Sequence, residues 1–216
     1  VVMVTQNPDK AFKGVIGAYG KVKGAPAYAA FIGDMKDARV QEKTGIIGEY
    51  FILEATSLGL ATCWVGGFFN RSSVREHVGL EKNEEVLAIT PIGFADENYT
   101  LEEKIMSGFA KTHKRKNMEE LLLAVPEGPI PQWINNALEV ARLAPSALNR
   151  QPWRFSVEGE TIKISLDSEK DPFHVSKRLD FGIAMAHIEI AAGNAGIEGC
   201  WEYLTGRYVA RFSPVG

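Results

Sequence analysis

The sequence predicts an α+β protein with helices packed on a mixed or antiparallel sheet. Three observations predict it. Two long segments have the apolar density of buried helices, one stretch alternates with the period of a hairpin, and helical and extended signals interleave through both halves.

The most informative pattern is an internal repeat. The segment from Gly45-Ile46 to Gly59-x-x-x-Cys63-Trp64 has a counterpart from Gly182-Ile183 to Gly196-x-x-x-Cys200-Trp201. The pairs 45 and 182, 59 and 196, 63 and 200, and 64 and 201 are all 137 apart, and Ala55 and Ala192 keep the same register. The two Cys-Trp pairs of the chain thus fall at matching places in two gap-free segments, and duplication accounts for this better than coincidence.

In order along the chain, Ala25–Ile32 is a strand candidate entered through Pro26. Ile46, Ile47, Tyr50, Phe51, Leu53 and Leu58 then crowd more than one face of a helix, which suits a central position. Gly59 is placed to cap it at its C-terminus, and an extended segment follows. Glu85–Ile92 is almost continuously apolar, as a buried strand requires. A polar stretch from Asp96 to Lys116 leads to Met118–Leu123, and Pro126 to Pro131, with Gly128 between, marks a boundary between halves 1–125 and 126–216. A helix then starts near Pro131, carries Ile134, Leu138 and Ala141 on one face, and halts at Pro145. Trp153-x-Phe155-x-Val157, a Glu158-Gly159 turn and Ile162-x-Ile164-x-Leu166 form a hairpin. The second central helix is filled by Ile183, Ile188, Ile190 and small alanines, and Gly196 ends it.

With 216 residues, 45% of them hydrophobic, the chain can bury a core without staples. A net charge of -3 gives no reason to expect nucleic acid or an anionic membrane as partner, and no apolar run reaches the length of a span. Cys63 and Cys200 stand alone, which excludes a zinc knuckle or a redox dithiol and fits a reducing cytoplasm; both read as small buried hydrophobes. The opening Val1-Val-Met-Val-Thr reads as the middle of a strand, with no initiator Met or signal peptide, so residues upstream of Val1 are expected. His77, His113 and His174 lack metal-ligand spacing, His187 reads as a satisfied core residue, and Gly14-x-x-Gly17-x-x-Gly20 has no strand leading into it and is not read as a nucleotide loop.

The strongest local motif is Ala144-Pro-Ser-Ala-Leu-Asn-Arg-Gln-Pro-Trp153. Pro145 and Pro152 stiffen its ends, and Ser146 and Ala147 are small enough to let the backbone lie against a flat ring. The amide of Asn149 matches the alternating donor and acceptor edge of a flavin pyrimidine. A capped helix end followed by a structural turn, with Trp153 in the core, reads equally well. Lys111-Thr-His-Lys114-Arg115-Lys116 is either a solvated charge run or a grip for an anion. Trp64, Phe68 and Phe69 are either core or the wall of a substrate pocket.

Pro145-Ser146-Ala147-x-Asn149-x-Gln151-Pro152-Trp153-x-Phe155 resembles the flavin-binding loop of the nitroreductase family. Gly59-Leu-Ala-Thr-Cys-Trp64-Val65-Gly66-Gly67 resembles that family's segment passing the reactive edge of FMN, and Val74–Leu80 and the run to Ile92-Gly93-Phe94 resemble its next helix and closing strand. The likeness covers nearly the whole chain and is greatest to the internally duplicated branch, whose two halves mimic the family's homodimer.

This resemblance implies one FMN held by Pro145, Ser146, Ala147 and Asn149 from the second half and by Trp64, Val65, Gly66 and Gly67 from the first. Gly66 and Gly67 would present bare N–H groups toward the flavin N5 region. It assigns the FMN phosphate to Lys114 and Arg115. The second copy reads Cys200-Trp-Glu-Tyr-Leu without the glycine pair, so its own site is expected to be dead. The family's Arg-Arg-Ser-x-Arg opening has no counterpart ahead of either helix. The implied activity is two-electron transfer from NAD(P)H to a nitroaromatic, quinone or similar flat acceptor, with ping-pong kinetics and no catalytic acid or base from the protein. The alternative is a non-catalytic protein that binds or senses a flavin or another planar ligand on a degenerate scaffold. A monomer imitating a dimer and a homodimer are both compatible.

Overall fold

The computed structural model describes residues 1–12, 22–95, 114–124, 128–168 and 176–215. The chain divides into two compact units, Val1–His113 and Lys114–Gly216. The fold is α+β, with a four-stranded antiparallel sheet in each unit.

In the first unit, strands β1 (Val2–Val4), β2 (Ala27–Asp34), β3 (Ala61–Thr62) and β4 (Glu84–Gly93) lie in the order β1-β2-β4-β3. Helices α1 (Asp9–Phe12), α2 (Val40–Ser57) and α3 (Arg71–Val78) accompany them among the described residues. The near-continuous apolar run in β2 has its cause in burial on both faces. Tyr28 and Ala30 join Ala11, Phe12, Val74 and Ile89 in one cluster beneath α1 and α3. Phe31 points the other way, its ring 5.9 Å from Phe51 on α2 and 4.8 Å from Trp64. Asn70 caps α3 by accepting from Ser73 N–H at 3.1 Å, and Gly79 ends it in the left-handed region.

In the second unit, β5 (Trp153–Glu158), β6 (Thr161–Leu166), β7 (Gly199–Tyr203) and β8 (Tyr208–Pro214) lie in the order β5-β6-β8-β7. Helices α4 (Met118–Leu121), α5 (Gln132–Leu143) and α6 (Lys177–Asn194) belong with it. The hairpin pairs Trp153 with Leu166 and Glu158 with Thr161, and Gly159 (φ +57°) opens its turn. Ile134, Leu138 and Ala141 are the buried stripe of α5, as the sequence pattern predicts. Trp133 on α5 and Trp201 on β7 both meet the ring of Phe212 on β8.

The division at 113/114 lies ahead of the boundary placed at 125/126 from the Pro126–Pro131 cluster. The reason is a non-local bond: Leu123 N–H donates to Phe155 O at 2.8 Å, and Leu122 bridges Phe155 in parallel, which ties this segment to β5. Gly14, Gly17, Gly20, His113, Pro126 and His174 lie outside the described residues.

Both units order their strands first, second, fourth, third, and both insert an 18-residue helix between the second and third. The helix ends match bond for bond. Leu60 N–H donates to Ala55 O at 2.9 Å, and Ile197 N–H to Ala192 O at 2.9 Å. Gly59 (φ +77°) and Gly196 (φ +74°) occupy the left-handed position that closes such a turn. Among the described residues no helix is long and apolar enough to cross a membrane.

Tyr28 is fully buried, its hydroxyl lies 2.8 Å from His77 Nδ1, and burial pushes its pKa up to about 12. Above the ordinary tyrosine value the unfolded chain ionises while folded Tyr28 does not, so this residue removes stability between pH 10 and about 12. Tyr28→Phe should lose about 1 kcal/mol near neutrality with the hydroxyl's hydrogen bond. Its stability should then fall less steeply than the parent's above pH 10. Urea unfolding at stepped alkaline pH reads this directly; parallel slopes would show that Tyr28 does not control them.

Candidate functional site

The segment after α2 leaves the regular ladder opposite a proline. Ala61 and Thr62 pair with Gly93 and Ile92 on β4, which sets Cys63 opposite Pro91. Proline has no N–H to donate across the ladder, and here the Cys63 N–H is taken by a side chain. Cys63 N–H donates to Thr90 Oγ1 at 3.0 Å, and that hydroxyl donates to Pro91 O at 3.1 Å. Val65 then exchanges two backbone bonds with Ile89, at 2.9 and 3.0 Å. Beyond it pairing stops. Among the described residues, the N–H groups of Gly66 and Gly67 donate to no acceptor.

Trp64 is locked ahead of these glycines. Its Nε1–H donates to Glu49 Oε2 at 2.7 Å, and Glu49 is buried in α2. A Cβ at Gly48 would stand 2.3 Å from Trp64 Cη2, so the indole lies directly on the helix backbone. Phe69 is buried with the Arg71 guanidinium 4.8 Å over its ring, whereas Phe68 is 52% exposed. Trp64 and Phe69 are therefore packing residues in this unit, and Phe68 is the aromatic that meets solvent.

The matched segment of the second unit behaves differently. Tyr203 and Leu204 hold the places of Gly66 and Gly67 at the 137-residue offset. Tyr203 is paired with Ala210, and Leu204 N–H donates to Val209 O at 2.9 Å. Where the first unit stops pairing, the second continues its ladder.

The loop after α5 is strained. Leu148, Asn149 and Gln151 all have positive φ (+53°, +54° and +46°), a conformation that costs non-glycine residues free energy and persists only under constraint. The constraints are visible. Asp180 on α6 accepts from Ala147 N–H at 3.0 Å and from Arg150 Nε at 2.6 Å. Ser146 Oγ accepts from Gln151 N–H at 2.9 Å. Buried Gln151 accepts Lys116 N–H at 2.8 Å and donates to Lys114 O and Asn149 Oδ1. Lys116 Nζ donates to Arg150 O and Gln151 O, and burial pushes its pKa down.

This wiring changes how two expected site residues read. Asn149 Oδ1 accepts from Arg115 Nη1 and Gln151 Nε2, both at 3.0 Å, and Asn149 Nδ2 donates to Lys114 O at 2.8 Å. Both acceptor positions of the amide oxygen are thus taken within the protein. Arg115 also donates from Nε and Nη2 to Leu143 O, clamping the end of α5. Lys114, by contrast, is exposed. The structure therefore brings Lys114, Arg115, Ser146, Ala147 and Asn149 together in one unit. Trp64, Val65, Gly66 and Gly67 lie in the other.

Lys116 and Gln151 lie inside motifs read from the sequence, but their bonding does not show there, and Glu49 and Asp180 do not stand out at all. For the two acids the available signal is weak: Asp180 stands between Leu179 and Phe181, and Glu49 precedes Tyr50-Phe51-Ile52, but each helix carries other acids as well. The cysteine expectation is corrected: Cys63 and Cys200 are exposed, because β3 and β7 are the outer strands of their sheets. His187 is half-buried in α6, and no group among the described residues could hold a metal ion.

A family described as "Putative TM nitroreductase" matches residues 1–192 of the chain. Among solved structures, a "putative nitroreductase" from Thermotoga maritima superposes with a TM-score of 0.61 at 24% identity, covering 89% of this chain and 72% of its own. A nitroreductase family protein from Clostridium difficile gives a TM-score of 0.41 at 21% identity, covering 59% and 73%. No curated protein matches.

The seating of Trp64 is testable. Gly48→Ala must displace the indole and should cost about 1–3 kcal/mol. Glu49→Gln keeps an acceptor for Trp64 Nε1–H and should cost about 1 kcal/mol. Urea denaturation followed by tryptophan emission measures both, and a Gly48→Ala protein as stable as the parent would refute the seating.

Proposed function

Because the chain belongs to the nitroreductase family matched over residues 1–192, we propose that it is an FMN-dependent oxidoreductase using NAD(P)H as electron donor. Its acceptors are proposed to be nitroaromatics, quinones or similarly flat molecules. The observation that carries this reading is the contrast between matched segments: Gly66 and Gly67 leave two backbone N–H groups without a protein acceptor among the described residues, while Leu204, at the place of Gly67, has its N–H bonded to Val209.

The residues fit FMN in three respects. Gly66 and Gly67 offer donors with no side chain in the way, as the N5 side of the ring requires. Ser146 and Ala147 are small residues on a loop whose shape is already fixed. Lys114 offers a charge for the phosphate, and the Arg115 guanidinium lies beside it in the chain. Asn149 fits less directly, and its part is to hold the loop to Lys114 and Arg115.

FMN supplies two-electron transfer between a nicotinamide and an acceptor, chemistry that no side chain here provides. The chain's own residues bind and orient. Val65 and Trp64 hold the glycine amides still, through Ile89 and Glu49, so that hydrogen-bond donors are in place before reaction and need no reorganisation. Duplication of a half-site, with one copy closed, is the proposed origin of the asymmetry, and it gives one FMN per chain.

The reading is tested by loading the purified protein with FMN. A yellow protein with one FMN per chain should bleach anaerobically with NADPH or NADH and regain colour on adding a quinone, with ping-pong initial rates. Failure to take up flavin would defeat it. The closed second copy also favours a non-catalytic ligand-binding role, and that role would show as tight FMN binding without quinone turnover.

A further inference from the structure

Asp180 is 2% exposed, between Leu179 and Phe181 in the first turn of α6, and its carboxylate faces the loop after α5. It accepts Ala147 N–H at 3.0 Å on one oxygen and Arg150 Nε at 2.6 Å on the other. Those two donors bracket Leu148 and Asn149, both left-handed. Gln151, left-handed as well, follows at once, with its N–H on Ser146 Oγ. One buried carboxylate thus fastens both ends of a turn that would otherwise relax.

We propose that Asp180 is the positioning residue of the flavin-facing loop, setting the backbone of Ser146, Ala147 and Asn149 in the shape that receives the ring. The inference rests on the flavin reading above and adds a residue that touches no cofactor. A side chain with only a packing role would be replaceable at equal stability. A positioning residue would not, because the left-handed turn is specified by where its two bonds fall. The Arg150–Asp180 pair is itself buried, with side chains 9% and 3% exposed, so removing the acid leaves a buried guanidinium without this carboxylate.

The experiment compares Asp180→Ala, Asp180→Asn and a control, Ile162→Ala, which weakens the same unit's core away from the loop. FMN affinity of each apoprotein is measured by flavin fluorescence, and the visible circular dichroism of bound flavin is recorded, all below the onset of melting. Asp180→Ala should weaken FMN binding by roughly tenfold or more and alter the dichroism. Asp180→Asn, which keeps an acceptor for Ala147 N–H, should fall between it and the parent. Ile162→Ala should lower the melting temperature comparably with affinity within about twofold of the parent. Equal FMN affinity in Asp180→Ala and parent, or an equal loss in Ile162→Ala, overturns the proposal. A parent chain that takes up no FMN overturns the flavin reading instead.

Discussion

The way each central helix ends governs the path of the chain beyond it. A bond from Leu60 to Ala55, and another from Ile197 to Ala192, each reach back five residues across a left-handed glycine. Such a turn leaves little choice of exit direction, so a strand begins almost at once: β3 at Ala61 and β7 at Gly199. The Cys-Trp pairs are carried to the same depth of each sheet by that single geometry. A side chain at either glycine would strain the turn, which accounts for glycine at both places.

After this shared start the two units part company because of the residues on the adjacent strand. In the first, Pro91 stands opposite Cys63, the ladder passes to a threonine hydroxyl, and regular pairing ends at Val65. In the second, β8 runs beside β7 from Pro214 to Ala210 and keeps its neighbour's backbone occupied. A difference of a few residues thus decides whether a backbone amide belongs to the sheet or is left for something else. The contrast does not depend on the charge of any side chain.

Much of this was legible in the sequence, and the remainder was hidden for a consistent reason. The α5 stripe of Ile134, Leu138 and Ala141, the Trp153–Leu166 hairpin and the two glycine caps depend on residues close together in the chain, where periodicity and turn chemistry speak directly. The exposure of Cys63 depends on β3 being an outer strand, which only the strand order reveals. The fate of the Asn149 amide depends on Arg115, and the assignment of α4 to the second unit on Phe155, both more than thirty residues away. The acids Glu49 and Asp180 were visible as residues, but their partners were not.

The same strand orders leave four outer strands, and a bare β edge invites pairing with another molecule. Three of them are blunted by different means. Strand β3 has only two residues, too few to template a foreign strand. Along β5, Leu122 and Leu123 occupy the backbone at Phe155. Strand β7, at five residues, carries Glu202, whose carboxylate accepts from Arg211 Nε of β8 at 2.7 Å. The charge of Glu202 is thus held by its cross-strand partner on an outer strand, where a charged side chain disfavours pairing with a second copy.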